Sequence, residues 1–243
     1  MCWLQPAMCY VALSRVQCLE QLLEEKKRLD EKDKKRKRDS LFKICSLNIN
    51  SLNAHFEDLI ADYRMLSSTV LCLQETWLHP NDCTASFEIP YKTLNLNSVR
   101  RGAGIAFYYT HQFSHLKDFT AMTYQISAIS SSECVIINIY RSRNANNENL
   151  IKNLTSIIEH ETKTIYICGD WNICHRDEKK HKIINFLQNN NFDPLLQIPL
   201  PTQREGRCLD MVWIRNPFWD KVELSIDFNY YSDHGVLSVD HFR

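Results

Sequence analysis

Polar side chains that could bind a metal or move a proton recur at the ends of apolar segments in this sequence. A carboxylate is rarely buried at such a place unless it is paired or binds a metal. A single aspartate after a strand usually caps a helix or forms a turn, but several such positions together favour one shared site. The candidates are Asn48, Asn50, Glu75, Asp170, Asn172, Asp210, Asp233 and His234.

The chemistry of this set is that of hard oxygen ligands. Carboxylate and amide oxygens favour Mg²⁺, with Mn²⁺ as a substitute, over zinc, and no sulfur is placed among them. A divalent ion, a carboxylate that activates water and an imidazole that faces a phosphate oxygen together suit hydrolysis of a phosphoester. The residues therefore predict a metal-dependent phosphoryl site at one edge of a sheet.

The elements that must position these residues alternate short apolar strands with amphipathic helices. Strands are predicted at residues 41–48, 69–75, 104–109, 133–140, 164–170, 209–214, 221–228 and 235–239. Helical apolar faces are predicted around Phe56 to Tyr63, Leu150 to Ile158 and Ile183 to Leu187. Because most of the strands are apolar throughout, we expect sheets that are covered on both faces, and hence a layered α/β fold.

Composition excludes several classes of protein. The 243 residues carry 29 Lys and Arg against 29 Asp and Glu, which argues against a basic wrapper of nucleic acid or an acidic disordered chain. None of the five glycines is followed by Lys, so the chain has no P-loop, and no dinucleotide fingerprint is complete. We therefore expect no nucleotide cofactor.

The cysteines and the apolar segments indicate where the protein resides. The ten cysteines form no C-x-x-C pair, which is typical of a reducing compartment. No apolar stretch is long enough to cross a membrane, and the first residues do not resemble a secretory signal. We expect a protein that is not secreted and has no membrane partner.

Residues 1–40 differ in character from the rest of the chain. They hold 10 Lys and Arg and 7 Asp and Glu, and residues 20–39 favour a charged helix or linker. The run KKRKR at 34–38 matches a nuclear-import or nucleic-acid-binding patch, although a solvated linker has the same composition. We predict a nuclear protein, with the cytoplasm as the alternative, and a domain boundary at residue 40.

Six short motifs carry a resemblance to a known family. They are SLNINSL (46–52), LQETWL (73–78), NIYR (138–141), ICGDWN (167–172), LD (209–210) and SDH (232–234). In this order and spacing they resemble the endonuclease/exonuclease/phosphatase superfamily, and most of all the apurinic-endonuclease-like nucleases of mobile elements, which include LINE-type retrotransposon endonucleases. The resemblance covers residues 41–243. It departs from the family at Ser51, where Gly is frequent, and directly after Asp210, but neither departure removes a catalytic atom.

The resemblance implies a fold and a reaction. The fold is a four-layered α/β sandwich, with two packed mixed sheets flanked by helices. The reaction is Mg²⁺-dependent cleavage of DNA that leaves a 3′-hydroxyl. Glu75 would bind the metal with Asn48 beside it and Asp233 supporting the metal side, and Asp170 would orient or deprotonate the attacking water.

The remaining roles concern the phosphate and the DNA. By the same resemblance, Asn172 would hold the scissile phosphate, and Tyr140 would approach it or assist the leaving group. His234 would contact a non-bridging oxygen while Asp210 fixes its tautomer. Four further residues are expected to contact the substrate: Asn50, Arg101, Arg141 and Trp171. The other tryptophans, among them Trp77 and Trp213, are expected to pack in the core.

A second resemblance lies at residues 9–22. The segment CYVALSRVQCLEQL is similar to the last conserved motif of Pif-type DNA helicases, in which an arginine corresponding to Arg15 senses nucleotide phosphate. Without a P-loop this segment cannot support ATP hydrolysis, so we interpret it as a helicase remnant. A helicase tail before such a nuclease resembles the polyprotein of Helitron-type transposons. An accidental amphipathic helix is the alternative.

The sequence thus predicts a Mg²⁺-dependent DNA endonuclease derived from a mobile element. Two alternatives stay open. The domain could be a phosphatase or phospholipase of the same superfamily, or a catalytically inactive relic that binds nucleic acid through residues 34–38.

Overall fold

The computed structural model describes residues 42–100, 102–173, 181–196, 200–217 and 221–242. The predicted helicase-like motif, the charged helix, the basic run at 34–38 and Arg101 lie outside the described residues. The architecture below is that of the domain that begins after residue 40.

The described strands form two mixed six-stranded sheets. The strands of the first sheet are β1 (Phe42–Asn48), β2 (Val70–Gln74), β3 (Thr93–Asn97), β4 (Ile105–Tyr109), β11 (Lys221–Phe228) and β12 (Gly235–Phe242). Their order is β11-β12-β1-β2-β4-β3, and the β1–β2 pair is parallel. The strands of the second sheet are β5 (Ser114–Ala121), β6 (Tyr124–Ser130), β7 (Cys134–Arg141), β8 (Thr164–Asp170), β9 (Asp193–Pro194) and β10 (Asp210–Arg215). Their order is β5-β6-β7-β8-β10-β9, and the β7–β8 pair is parallel.

Helices connect the strands of both parallel pairs. The helices are α1 (Leu52–Ala61), α2 (Tyr63–Leu66), α3 (Asn147–Ile158) and α4 (Lys182–Asn189), with a 3₁₀ turn at Thr84–Phe87. α1 and α2 connect β1 to β2, and α3 connects β7 to β8, since parallel neighbours require a crossover. The described part of the chain contains no helix with the length and hydropathy needed to cross a bilayer.

Three large apolar cores of the described residues hold the layers together, and a small fourth cluster packs Tyr140 against Ala103 and Ile105. Between the sheets, Ile44 and Phe107 of the first sheet share a core with Ile136 and Val212 of the second. α1 covers the outer face of the first sheet, and α3 and α4 cover the outer face of the second. The predicted four-layered α/β sandwich is therefore confirmed, and the predicted apolar faces of α3 and α4 are buried. The face predicted from Phe56 to Tyr63 is wrong at its end, because α1 stops at Ala61 and Tyr63 is 75% exposed.

Four of the described strands were not predicted from the apolar pattern: β3, β5, β6 and the two-residue β9. β5 is a mostly exposed edge strand, and the side chains of β3 are only partly buried, so neither requires an apolar run. β6 is buried but carries polar residues that bond internally, such as Ser127, whose hydroxyl donates to Asp118 and Asn95. A search for apolar runs misses strands whose polar groups find partners within the fold.

His241 on β12 should make the stability of the domain depend on pH. The ring is fully buried, with Nδ1 2.8 Å from the carbonyl oxygen of Phe42 and Nε2 2.7 Å from the hydroxyl of Tyr166. Burial lowers the pKa of His241 from 6.5 to about 4, against the opposing effect of the Phe42 carbonyl. The folded domain therefore resists protonation that the unfolded chain accepts. The contribution of His241 to the free energy of unfolding is therefore complete above pH 6.5 and is lost as the pH falls towards 4.

The expected loss of unfolding free energy between pH 7 and pH 5 is roughly 2 kcal/mol from this residue. Urea unfolding at both pH values measures it, with His241→Gln as the comparison, because glutamine keeps one donor and one acceptor but does not titrate. Equal pH dependence in the two proteins would contradict the assignment.

Candidate active site

The predicted site residues of the second sheet meet because three strands end side by side. Asp170, the last residue of β8, is paired with Tyr140 of parallel β7 and with Asp210 of antiparallel β10. The strand ladder alone therefore brings three of the predicted catalytic residues to one edge of this sheet.

The first sheet contributes the residues that face them. Asn48 ends β1, and its Nδ2 donates a hydrogen bond of 3.0 Å to Asp170 Oδ2, across 122 residues of sequence. Glu75 directly follows β2, whose Gln74 is paired with Asn48. His234 directly precedes β12, the other neighbour of β1. The site thus lies at one edge of the sandwich, where the ends of β1, β2 and β12 face the ends of β7, β8 and β10.

Asp170 is held by nitrogen donors on both of its oxygens. The backbone N–H of Asn172 donates to Oδ1 at 2.9 Å, and the Nδ2 groups of Asn172 and Asn48 donate to Oδ2 at 3.2 and 3.0 Å. Burial, followed by the charge of Asp210, raises the pKa of the Asp170 carboxyl well above its ordinary range, and Glu75 adds to this. An ionised Asp170 is therefore disfavoured in these surroundings, and a bound cation would offset that cost.

His234 forms a buried pair with Asp210. Its Nδ1 lies 2.7 Å from Asp210 Oδ2, and both side chains are almost completely buried. Burial opposes the charged imidazolium, but the hydrogen bond and the charge of Asp210 outweigh it and, with Asp170 and Asp233, raise the pKa of His234 to about 9. Asp210 thus fixes Nδ1 as a donor, which leaves Nε2–H as the donor for a ligand.

The donor set fits a hard divalent cation. Side-chain atoms of Asp170, Asp210 and His234 lie within 4.8 Å of one another. Because Asp210 and His234 bind each other, the groups of this cluster that can face a cation are carboxylate oxygens. Glu75 is half-buried and adds a carboxylate whose charge acts on both Asp170 and Tyr140. Because these groups supply mainly oxygen ligands and an excess of buried negative charge, a Mg²⁺-like ion would be stabilised here. Asp233 accepts a hydrogen bond of 2.8 Å from Gln203 Nε2.

Several predicted substrate contacts are placed differently. Trp171 is completely buried and its Nε1–H donates to the carbonyl of Met211, so it packs in the core and has no ring face for a base. Arg141 is 4% exposed and donates to Asn147 Oδ1 and to the carbonyl of Trp171. Its guanidinium therefore ties the loop after β8 to the start of α3 and does not grip DNA.

Two asparagines of the predicted set shape the site from within. The Asn172 amide donates to Asp170 and to the Arg141 carbonyl, so it orients Asp170. The Asn50 backbone N–H donates to Asn48 Oδ1 at 3.1 Å. The Asn50 side chain itself is half-buried.

The segment before β10 supplies positioning residues that the motifs did not reveal. The buried Thr202 Oγ1 accepts the backbone N–H groups of Leu209 and Asp210, at 2.9 and 3.0 Å. Gln203 forms an isolated bridge with His234 and donates to Asp233. The only sequence signal was the PTQREG turn ahead of Leu209. These contacts fix both halves of the Asp210–His234 pair.

Gly169 is needed directly before Asp170. Its φ is +144°, and a Cβ at this position would lie 1.9 Å from the carbonyl oxygen of Ile139. Only glycine lets β8 approach β7 this closely, which sets the height of the Asp170 carboxylate at the strand end.

The comparisons with known proteins agree with this geometry. The family described as endonuclease-reverse transcriptase matches residues 134–238, a range that includes Tyr140, Asp170, Asp210 and His234. No curated protein sequence matches the chain significantly.

Solved structures share the fold at low sequence identity. A 3′-5′ exonuclease from Neisseria meningitidis is 17% identical with a TM-score of 0.64, covering 83% of this chain and 100% of its own. An AP endonuclease from Archaeoglobus fulgidus is 14% identical with a TM-score of 0.66, covering 83% and 99%. The endonuclease domain of TRAS1, a telomere-specific non-LTR retrotransposon, is 12% identical with a TM-score of 0.64, covering 83% and 98%. The chain is therefore similar to endonuclease-reverse transcriptases over residues 134–238, and it shares its fold with these solved nucleases.

Proposed function

We propose that this protein is a divalent-metal-dependent DNA endonuclease of the mobile-element type. The observation that carries the proposal is the bond from Asn48 to Asp170, which joins the two sheets at the point where Asp170 lies beside the His234–Asp210 pair. The matched endonuclease-reverse transcriptase family and the likeness to the TRAS1 endonuclease domain support DNA as the substrate.

The site residues form two groups: Glu75 and Asn48, which would hold the metal (the metal side), and Asp170 and Asn172, which would act on the attacking water (the water side). Mg²⁺ bound by Glu75 with Asn48 beside it would polarise the phosphodiester and neutralise its developing charge. Asp170, oriented by Asn172, holds the attacking water and accepts its proton at a carboxylate oxygen.

The phosphate side depends on two donors. His234 donates its Nε2–H to a non-bridging phosphate oxygen, since Nδ1 is bound by Asp210. Burial, together with the charges of Glu75 and Asp170, raises the pKa of the Tyr140 hydroxyl, so Tyr140 keeps its proton and acts as a donor towards the leaving oxygen. The water oxygen bonds to phosphorus as the P–O3′ bond breaks, and the products are a 5′-phosphate and a 3′-hydroxyl.

Conversion of supercoiled plasmid to nicked circles by the full chain tests the proposal. We expect nicking with Mg²⁺ or Mn²⁺ and a fall of at least roughly 10³-fold with EDTA, because the ion supplies several kcal/mol of transition-state stabilisation. A DNA polymerase should extend the nicks, which reports the 3′-hydroxyl.

The same preparation should be offered inositol phosphates and sphingomyelin. Turnover of these substrates without nicking of DNA would replace the endonuclease by a phosphatase or phospholipase. DNA binding without metal-dependent cleavage of any substrate would identify an inactive relic.

The basic run at residues 34–38 supports nuclear import as part of the same proposal. A tagged protein should leave the nucleus when these five residues are replaced by alanine. A cytoplasmic distribution that the replacement does not change would contradict it.

A further inference from the structure

Trp77 stands at the surface beside the metal side of the site. The sequence pattern suggested a packing residue, but the indole is 41% exposed, and its Nε1–H donates to Glu75 Oε2 at 3.3 Å. The loop from Glu75 to Trp77 therefore presents an aromatic ring to solvent next to a proposed metal ligand.

The backbone of this loop is held in an uncommon conformation. Glu75 and Trp77 have φ values of +51° and +57°, in the left-handed region that non-glycine residues rarely adopt. The backbone N–H groups of Thr76 and Trp77 donate to the carbonyls of Gly104 and Ala103, at 3.1 and 2.9 Å, which fixes this arrangement. Such strain is concentrated at ligand-binding sites, because it persists only where the surroundings enforce it.

The exposed indole forms one wall of a cavity of about 460 Å³. This volume is in the range of small-ligand sites. The buried side chains of Leu78 and Phe87 give the cavity an apolar lining, while Asn53, Asp82 and Ser86 contribute polar groups.

The lining selects a flat, neutral ligand rather than a phosphate. None of the described residues that line the cavity is Lys or Arg, and the Asp82 carboxylate would repel an anion. An aromatic wall with an apolar lining favours a heterocycle that stacks, and amide, hydroxyl and carboxylate groups can bond to its polar edge. Among the parts of a DNA strand, only the base has this chemistry.

We propose that this cavity binds one nucleobase of the cleaved DNA strand, stacked on Trp77, next to the phosphate at the metal site. The inference rests on the proposed function and names a base-binding subsite for it. The base must be unpaired or turned out of the duplex to stack there, so single-stranded or distorted DNA should bind best.

Binding can be measured without catalysis in the full chain carrying Asp170→Asn. Fluorescence anisotropy with a single-stranded oligonucleotide and Mg²⁺ should show affinity weakened about tenfold by a further Trp77→Ala change, and by no more than about twofold by Trp77→Phe, which keeps a stacking ring. Tyr91→Ala is the matched control, because Tyr91 is an aromatic that is 97% exposed and does not line the cavity. Thermal unfolding of each variant verifies the fold.

A second measurement does not depend on Trp77. Cys83 is exposed and lines the cavity, so bound DNA should slow its alkylation by N-ethylmaleimide, read peptide by peptide by mass spectrometry. The inference is overturned if Trp77→Ala binds DNA with full affinity and DNA leaves the alkylation of Cys83 unchanged. In that case the proposed endonuclease function still stands, provided that the wild type nicks plasmid.

The kinetics of the nicking enzyme separate stacking from an effect on Glu75. With Asp170 present, Trp77→Ala should raise KM more than Trp77→Phe does. An equal loss of kcat in both variants with unchanged KM would show that Trp77 acts only through its N–H on Glu75, which also overturns base binding. A wild type that binds DNA but does not nick it would instead remove the proposed function, and the affinity and alkylation data would then decide on the cavity.

Discussion

Asp170→Asn should lower the rate of DNA nicking by roughly 10³- to 10⁴-fold and leave the domain folded. Asparagine has the same shape, but it cannot accept the proton of the attacking water. Its amide nitrogen must also replace one oxygen that now accepts N–H groups from Asn48 or Asn172. Single-turnover nicking kinetics at saturating Mg²⁺ measure the effect.

The stability of this variant separates a catalytic role from a structural one. Burial and the charge of Asp210 penalise an ionised Asp170, so removal of its charge offsets the hydrogen bonds that are lost. We expect a melting temperature close to that of the wild type. Asp118→Asn on the edge strand β5 is the matched control, since its carboxylate bonds to Ser127 away from the site. Nicking by Asp170→Asn at the wild-type rate would contradict the role of Asp170.

Asp210→Asn should lower kcat by roughly 10³- to 10⁴-fold although Asp210 is not expected to touch the DNA. The Asp210 carboxylate accepts from His234 Nδ1 at 2.7 Å and raises the pKa of the ring to about 9. An amide in its place has no charge to keep the ring protonated. The amide oxygen can still accept the Nδ1–H, so the neutral ring would keep its proton on Nδ1 and Nε2 would no longer donate to the phosphate.

The double variant shows whether the two residues act as one unit. His234→Ala should cost about as much as Asp210→Asn, and combining the two should cost little more than either change alone. Rates for the two single variants and the double variant, measured on the same oligonucleotide, complete the cycle. Losses that multiply in the double variant would mean that Asp210 and His234 contribute separately.

Polar residues beneath the site hold the two sheets in register. Gln74 Nε2 donates to Asn138 Oδ1 at 2.7 Å, and Asn138 Nδ2 donates to the carbonyls of Leu73 and Ala106, each at 3.0 Å. Gln74 directly precedes Glu75, and Asn138 lies two residues before Tyr140. This network therefore fixes the position of Glu75 on the first sheet relative to Tyr140 on the second. Buried polar networks of this kind specify one arrangement of a core because every alternative leaves donors unpaired.

Local pattern sufficed to find the strands that end in the site. An apolar run such as 164–170 must be buried, and the polar residue at its end must lie at the sheet edge, so Asp170 and Asp210 could be identified without a structure. The same pattern overlooked β5 and β6, where an exposed edge or internally bonded polar groups replace the apolar signal.

The direction and partners of individual side chains were decided by the tertiary structure. Trp171 and Arg141 carry the residue types of DNA contacts but are buried, whereas Trp77 reads as a core residue and is exposed. The sequence by itself determined which residues could perform the chemistry and at the end of which strand each of them lies, because the burial of a strand follows from its own composition. Only the packing of the two sheets decided that Asn48 meets Asp170 and that Asp210 holds His234, because hydrogen bonds across 122 and 24 residues depend on how distant strands are placed together.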